Sequence, residues 1–141
     1  MTREKIEILE HTADLAIRIN AVDAKELFEL GATAVYQLIG EPVRAAGESR
    51  VYSFSLQANS QEELLHDWLA EALYWFQVRQ IVFERYEFEV LRPTHVKVKA
   101  EGWKIDVEKS IIHIEIKAVT YHNLHIKPNE EGLTATVIFD V

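Results

Sequence analysis

The stretch Ser60-Gln61-Glu62-Glu63-Leu64-Leu65-His66-Asp67-Trp68-Leu69-Ala70-Glu71-Ala72-Leu73-Tyr74-Trp75-Phe76 decides the fold class. Leu64, Leu65, Trp68, Leu69, Ala72, Leu73 and Phe76 recur at three- and four-residue spacing, which gathers them on one broad face of an α-helix. Ser60 followed by Glu63 is a capping pair, the hydroxyl accepting from a backbone N–H that the first helical turn leaves unbonded. The spacing predicts a helix that starts after Ser60 and ends near Gln77 to Gln80. A face this wide needs a large apolar surface to lie against, and the flanking sequence supplies it. Upstream, Tyr52, Phe54 and Leu56 alternate with Ser53, Ser55 and Gln57; downstream, Val96, Val98 and Ala100 alternate with Lys97, Lys99 and Glu101. A period of two is that of half-buried strands.

The same alternation runs through Leu15 to Ile19, Phe83 to Leu91, Ile112 to Ile116 and Leu133 to Val141. A second helix is predicted over Ala24 to Ile39, where Leu27, Phe28, Gly31, Val35 and Leu38 form the stripe and Asp23 with Glu26 the cap. Pro42 and Gly47 mark a loop over Gly40 to Ser49, and Pro128 and Asn129 a second over Lys127 to Gly132. Two helices among strands at hairpin spacing predict an α+β fold: one domain over residues 1–141, a mostly antiparallel or mixed sheet with the two helices packed on it.

Composition agrees with one globular core. The chain has 141 residues, 48% hydrophobic and 27% charged, a size at which folding buries about 70% of the unfolded surface. The absence of cysteine excludes a disulfide framework, a thiolate zinc site and a cysteine nucleophile, and fits a reducing, cytoplasmic setting. Met1 to Glu10 mixes charged and apolar residues without the layout of a signal peptide and reads as mature sequence. The densest apolar run, Leu64 to Phe76, is broken by His66, Asp67 and Glu71, so no membrane span is expected. A formal charge of −8 disfavours tight nucleic-acid binding and favours protein partners or cations.

Three places carry candidate chemistry. Asp14, closing His11-Thr12-Ala13-Asp14 ahead of a strand, reads as a turn cap or as a hard oxygen ligand. Val137-Ile138-Phe139-Asp140-Val141 reads as a sheet-paired strand holding Asp140 and the Val141 carboxylate, or as a fraying end. A calcium or magnesium ion takes such oxygens, with Asp14 adding a third carboxyl if the fold brings it near. In Ile111 to Ala118, inward Ile112, Ile114 and Ile116 would leave His113, Glu115 and Lys117 on a polar face, either a docking surface or a charge ladder. His122 and His125 stand three apart without a further ligand and do not make a zinc set. Trp68 and Trp75 read as core aromatics and Asp67 as an exposed polar position. No nucleophile elbow, P-loop, dinucleotide fingerprint or zincin motif is present.

Taken together, His11-Thr12-Ala13-Asp14 before a strand, Trp68 in a Leu-rich helix, Glu115-Ile116-Lys117-Ala118-Val119-Thr120-Tyr121 and the closing Phe139-Asp140-Val141 resemble the archease family over essentially the whole chain. The resemblance implies an accessory protein, not itself an enzyme, of the RtcB-type RNA ligase of tRNA splicing and RNA repair, one that promotes ligase guanylylation and sustains its turnover. It implies a divalent metal site on Asp14 and Asp140, with Val141 adding main-chain or terminal oxygens. Calcium is the expected ion, with magnesium or manganese as alternatives. It further implies a partner-activating glutamate and lysine ahead of the last word. Glu115 matches; the lysine falls on Lys109 across a loop of varying length, and Lys117 and His11 join the same set. Two other classes fit the residues: a metal-dependent hydrolase with His122 as base, and a chaperone-like module binding through an exposed apolar patch.

Overall fold

The structure is a computed structural model and describes residues 5–10 and 14–141. In chain order the elements are β1 (Ile6–Glu10), β2 (Asp14–Ala21), α1 (Ala24–Ile39), β3 (Gly40–Glu41), β4 (Arg50–Gln57), α2 (Gln61–Arg79), β5 (Ile81–Arg92), β6 (His95–Lys104), β7 (Ile111–Ile112), β8 (Ala118–Val119), β9 (His125–Asn129) and β10 (Gly132–Asp140). Every pairing among the described residues is antiparallel. One sheet has the order β1-β2-β10-β8 with β9 also on β10, a second the order β4-β6-β5, and β3 pairs with β7 alone. The α+β expectation holds, with the sheet resolved into these three.

Both helices start where their caps place them. Asp23 Oδ1 accepts from the Glu26 N–H at 2.9 Å and Ser60 Oγ from the Glu63 N–H at 3.1 Å, each filling one orphan donor of a first turn. The helices pack on each other and against both larger sheets. Trp68 is the pivot: its ring lies within 6 Å of Phe28, Phe54, Tyr86 and Phe88, and its indole N–H donates to the Phe28 carbonyl at 2.7 Å. That bond lets a large amphipathic ring be buried without an unpaired donor. Trp75 is only half-buried; its ring stacks on Phe54 and tilts against Tyr52.

Two expectations need correction. Ile111 to Ala118 is not one strand: after β7 the chain leaves any ladder and reaches β8 as an extended crossing segment. Its backbone groups find scattered partners instead. The His113 and Ile114 N–H groups donate to the Ile39 carbonyl, the Gln77 amide donates to the Ile116 carbonyl at 2.7 Å, and the Lys117 N–H donates to the Asp140 carbonyl at 2.8 Å. Ile116 is buried, Ile114 half-buried and Ile112 51% exposed, so only the later isoleucines point inward. The loop expected over Lys127 to Gly132 is largely strand, because β9 lies at a sheet edge, where Pro128 needs no outward N–H. Among the described residues no helix is long and apolar enough to cross a membrane.

Candidate functional site

β10 is the strand around which the site forms. It runs between β2 on one side and β9 then β8 on the other, so its register alone sets what stands beside Asp140. That register puts Asp140 directly opposite Asp14 on β2 and opposite Ala118 on β8. Directly opposed residues of an antiparallel pair share a face with Cβ atoms about 4.5–5.5 Å apart. Two carboxylates 126 positions apart in the chain are thereby neighbours.

The strand end is held on both flanks. Phe139 is fully buried, Val141 packs partly buried against the same core, and the Ile138 carbonyl accepts from both the Thr120 N–H and the Thr120 hydroxyl at 3.0 Å. Asp140 therefore stands on an anchored strand, not on a fraying end. Asp14 is half-buried and Asp140 exposed, an arrangement that lets two like charges coexist in contact with water. Opposed like charges destabilise a strand pair, and a divalent cation removes that repulsion while accepting the hard oxygens both side chains offer. The donor set thus fits a calcium, magnesium or manganese ion in part. Among the described residues no group of three His, Asp or Glu side chains is arranged to hold a metal ion, so the remaining oxygens of a site on Asp14 and Asp140 would have to come from main chain, water or a partner. His11 lies outside the described residues.

The other anticipated residues fall into two groups. Glu115 and Lys117 are exposed on either side of the buried Ile116, at the rim of a groove of about 630 Å³ that also takes in Ile39, Phe76, Gln77, Ile112 and Ile114. Through the bond from the Lys117 N–H to the Asp140 carbonyl this rim adjoins the carboxylate pair. Lys109 stands elsewhere, on an exposed turn whose N–H donates to Asp106 Oδ1 at 3.2 Å, and no hydrogen bond or ion pair among the described residues links it to Asp14 or Asp140. His122 is exposed on the turn after Tyr121, its N–H donating to the Thr120 hydroxyl.

One constellation was not anticipated. His66 Nε2 meets the Val119 carbonyl at 2.8 Å and its Nδ1 meets Asp67 Oδ1 at 2.9 Å, while its ring stacks on Tyr121 at 3.7 Å. The Tyr121 hydroxyl donates to the same Asp67 oxygen at 3.3 Å. Partial burial, and then the Asp67 carboxylate, push that hydroxyl above its usual range. Asp67 is half-buried and engaged, not a free surface position. This cluster bolts β8 to α2, and β8 lies directly beside Asp140. The signal for it was two adjacent polar residues interrupting the densest apolar helix of the chain.

The family model described as the Archease protein family matches residues 6–141. Protein archease of Methanosarcina acetivorans is 35% identical over 142 residues, covering 98% of this chain and 97% of its own. The solution structure of protein 1598 of Methanobacterium thermoautotrophicum superposes with a TM-score of 0.74 at 24% identity, covering 97% of this chain and 99% of its own. The Thermotoga maritima crystal structure, described as an archease and possible chaperone, has a TM-score of 0.69 at 22% identity, covering 100% of this chain and 98% of its own. The two structures agree in fold, and the family match spans nearly all of the sequence: this chain belongs to the archease family.

Proposed function

We propose that this protein is a non-enzymatic activator of an RtcB-type RNA ligase, acting through a divalent cation held by Asp14 and Asp140. The observation that carries the reading is the register that sets these two carboxylates opposite each other on an anchored strand end. Asp14 and Asp140 would hold the ion, with a main-chain oxygen of Val141 beside them; when bound, the cation supplies positive charge to oxygens of a partner. The rest of the tip positions: His66 and Gln77 fix the backbone on either side of Lys117, so that Glu115 and Lys117 meet the ligase in a fixed relation to the carboxylates. Help of this kind comes from orientation and preset electrostatics, which need no nucleophile in the helper.

The test is covalent labelling of a purified RtcB-type ligase with radiolabelled GTP over successive turnovers. Wild-type protein at substoichiometric amounts should raise labelling and turnover, and folded Asp14→Asn and Asp140→Asn variants should not. Normal stimulation by both variants would end the proposal. A chaperone-like reading draws on the groove beside Ile112, an exposed apolar surface. It requires suppression of aggregation of unrelated proteins without metal or GTP.

A further inference from the structure

A sheet edge presents unpaired N–H and C=O groups, and proteins normally guard such edges with charge, proline, bulges or shortness. Most edges here are guarded. β9 carries Lys127 and Pro128, β1 is five residues long with Glu7, and β5 carries Glu84, Arg85, Glu87 and Glu89 with two register shifts. β4 is the exception. It runs eight residues, pairs regularly with β6 on one side, and carries no charged side chain from Val51 to Gln57. Among the described residues no hydrogen bond reaches its backbone from the other side. An apolar border follows it: Val51 is 62% exposed, Tyr52, Phe54 and Leu56 are half-buried, and on α2, next to the Trp75 that covers Tyr52 at 5.0 Å, Tyr74 and Val78 are 48% and 62% exposed.

From these observations we propose that β4 is a self-pairing edge: two copies of this chain join β4 to β4 antiparallel about a two-fold axis at Ser53, making one six-stranded sheet. Self-pairing suits this strand because opposed residues then match without conflict. Tyr52 meets Phe54 of the second copy, Val51 meets Ser55, Arg50 meets Leu56, and Ser53 meets Ser53; no like charges are opposed. In a chain of net charge −8 two copies repel, and a charge-free strand is where they approach at least cost. The contact is isologous, so it closes at two copies instead of growing into a fibre. Screening of the residual repulsion makes the dimer stronger at higher salt. This inference stands independently of any ligase.

The chain has no cysteine, so Ser53→Cys introduces a single thiol at the axis, on the exposed face, within reach of its counterpart. Under mild oxidation Ser53→Cys should form a disulfide-linked dimer far faster than Lys97→Cys, which lies on the same face but on the interior strand β6. Sedimentation of the unmodified protein over a wide concentration range should show a monomer–dimer equilibrium. Ser53→Lys, which opposes two like charges, should weaken it by roughly two- to fivefold without lowering the melting temperature. A protein monomeric at every concentration, including one whose β4 instead takes up an unrelated strand, overturns the proposal. So does a dimer indifferent to Ser53→Lys, or equal cross-linking of the two cysteine variants.

Discussion

Replacing Asp140 by asparagine should raise the stability of the metal-free protein and lower that of the metal-loaded one. The two carboxylates are directly opposed in the β2–β10 register, about 5 Å apart at Cβ. Coulomb's law at that separation gives about 0.8 kcal/mol in bulk water and about 3 kcal/mol at an effective dielectric of 20. Asp140 is exposed and Asp14 half-buried, so solvent screening holds the repulsion near the low end, about 0.5–1 kcal/mol. Asparagine keeps the shape and removes one charge. In chelator, Asp140→Asn should therefore melt roughly 2–4 °C above wild type. At a hundredfold excess over Kd, a bound cation adds about 2.7 kcal/mol to the wild type and much less to the variant, so the order of melting temperatures reverses. The assay is thermal unfolding by circular dichroism in chelator, then with calcium, magnesium and manganese in turn. High salt should shrink the difference seen in chelator. Adding Asp14→Asn to Asp140→Asn should give little further gain, since the repulsion is already gone. An Asp140→Asn protein destabilised in chelator, or one gaining as much from cation as wild type, would refute the reasoning.

Burial pushes the Tyr36 hydroxyl up to about 12, although the Phe83 N–H, donating to it at 3.1 Å, favours its ionised form. Its stabilising share is fully present below pH 10 and lost as pH rises through about 12, worth about 3 kcal/mol over that window. Alkaline unfolding of Tyr36→Phe followed by fluorescence should be less steep there, with Tyr86, raised in the same way, still titrating, and the variant should be about 1–3 kcal/mol weaker at pH 7 for the lost bond. At Gly40, with φ at 156°, a Cβ would strike the Ile111 carbonyl, so Gly40→Ala should cost more than the roughly 1–3 kcal/mol of backbone strain alone and speed amide exchange in the β3–β7 pair. Gln77→Ala removes the donor to the Ile116 carbonyl and should cost about 1 kcal/mol. It should also speed exchange at 113–117 and weaken ligase stimulation while leaving the cation-induced rise in melting temperature intact.

Most of the secondary structure was legible because it is local. Asp23 and Ser60 cap helices whose stripes have the 3.6-residue period, and α1 and α2 begin one residue after each. Strands with one wet face alternate, which exposed β4, β5, β6 and β10 to view. Alternation misleads where it has another cause. Ile112, Ile114 and Ile116 have a strand's spacing, yet the segment is held by the Ile39, Asp140 and Gln77 partners, all distant in sequence. Asp14 and Asp140 were legible as residue types, but their opposition depends on a register set by the whole of β10 and β2, which no local pattern encodes. The role of His66 is hidden from local pattern for the same reason, since its acceptor is a backbone carbonyl 53 positions away.

The placement of the carboxylate pair follows from what each neighbour contributes. Opposed like charges in the middle of a sheet would face desolvation as well as repulsion; at the strand end Asp140 keeps its water and repulsion alone remains. That repulsion has to be resisted by the surrounding structure, and the surroundings are well suited to it. Phe139 and Val141 hold the strand from within, Ile138 is bonded to Thr120, and β8 is bolted to α2 through His66. A mobile end would simply swing the two charges apart. An anchored one keeps them opposed, so the oxygens would need little rearrangement for the ion that the proposed function requires. The stability lost to that preset arrangement is the quantity that Asp140→Asn recovers, and it links the fold of β10 to the proposed activity.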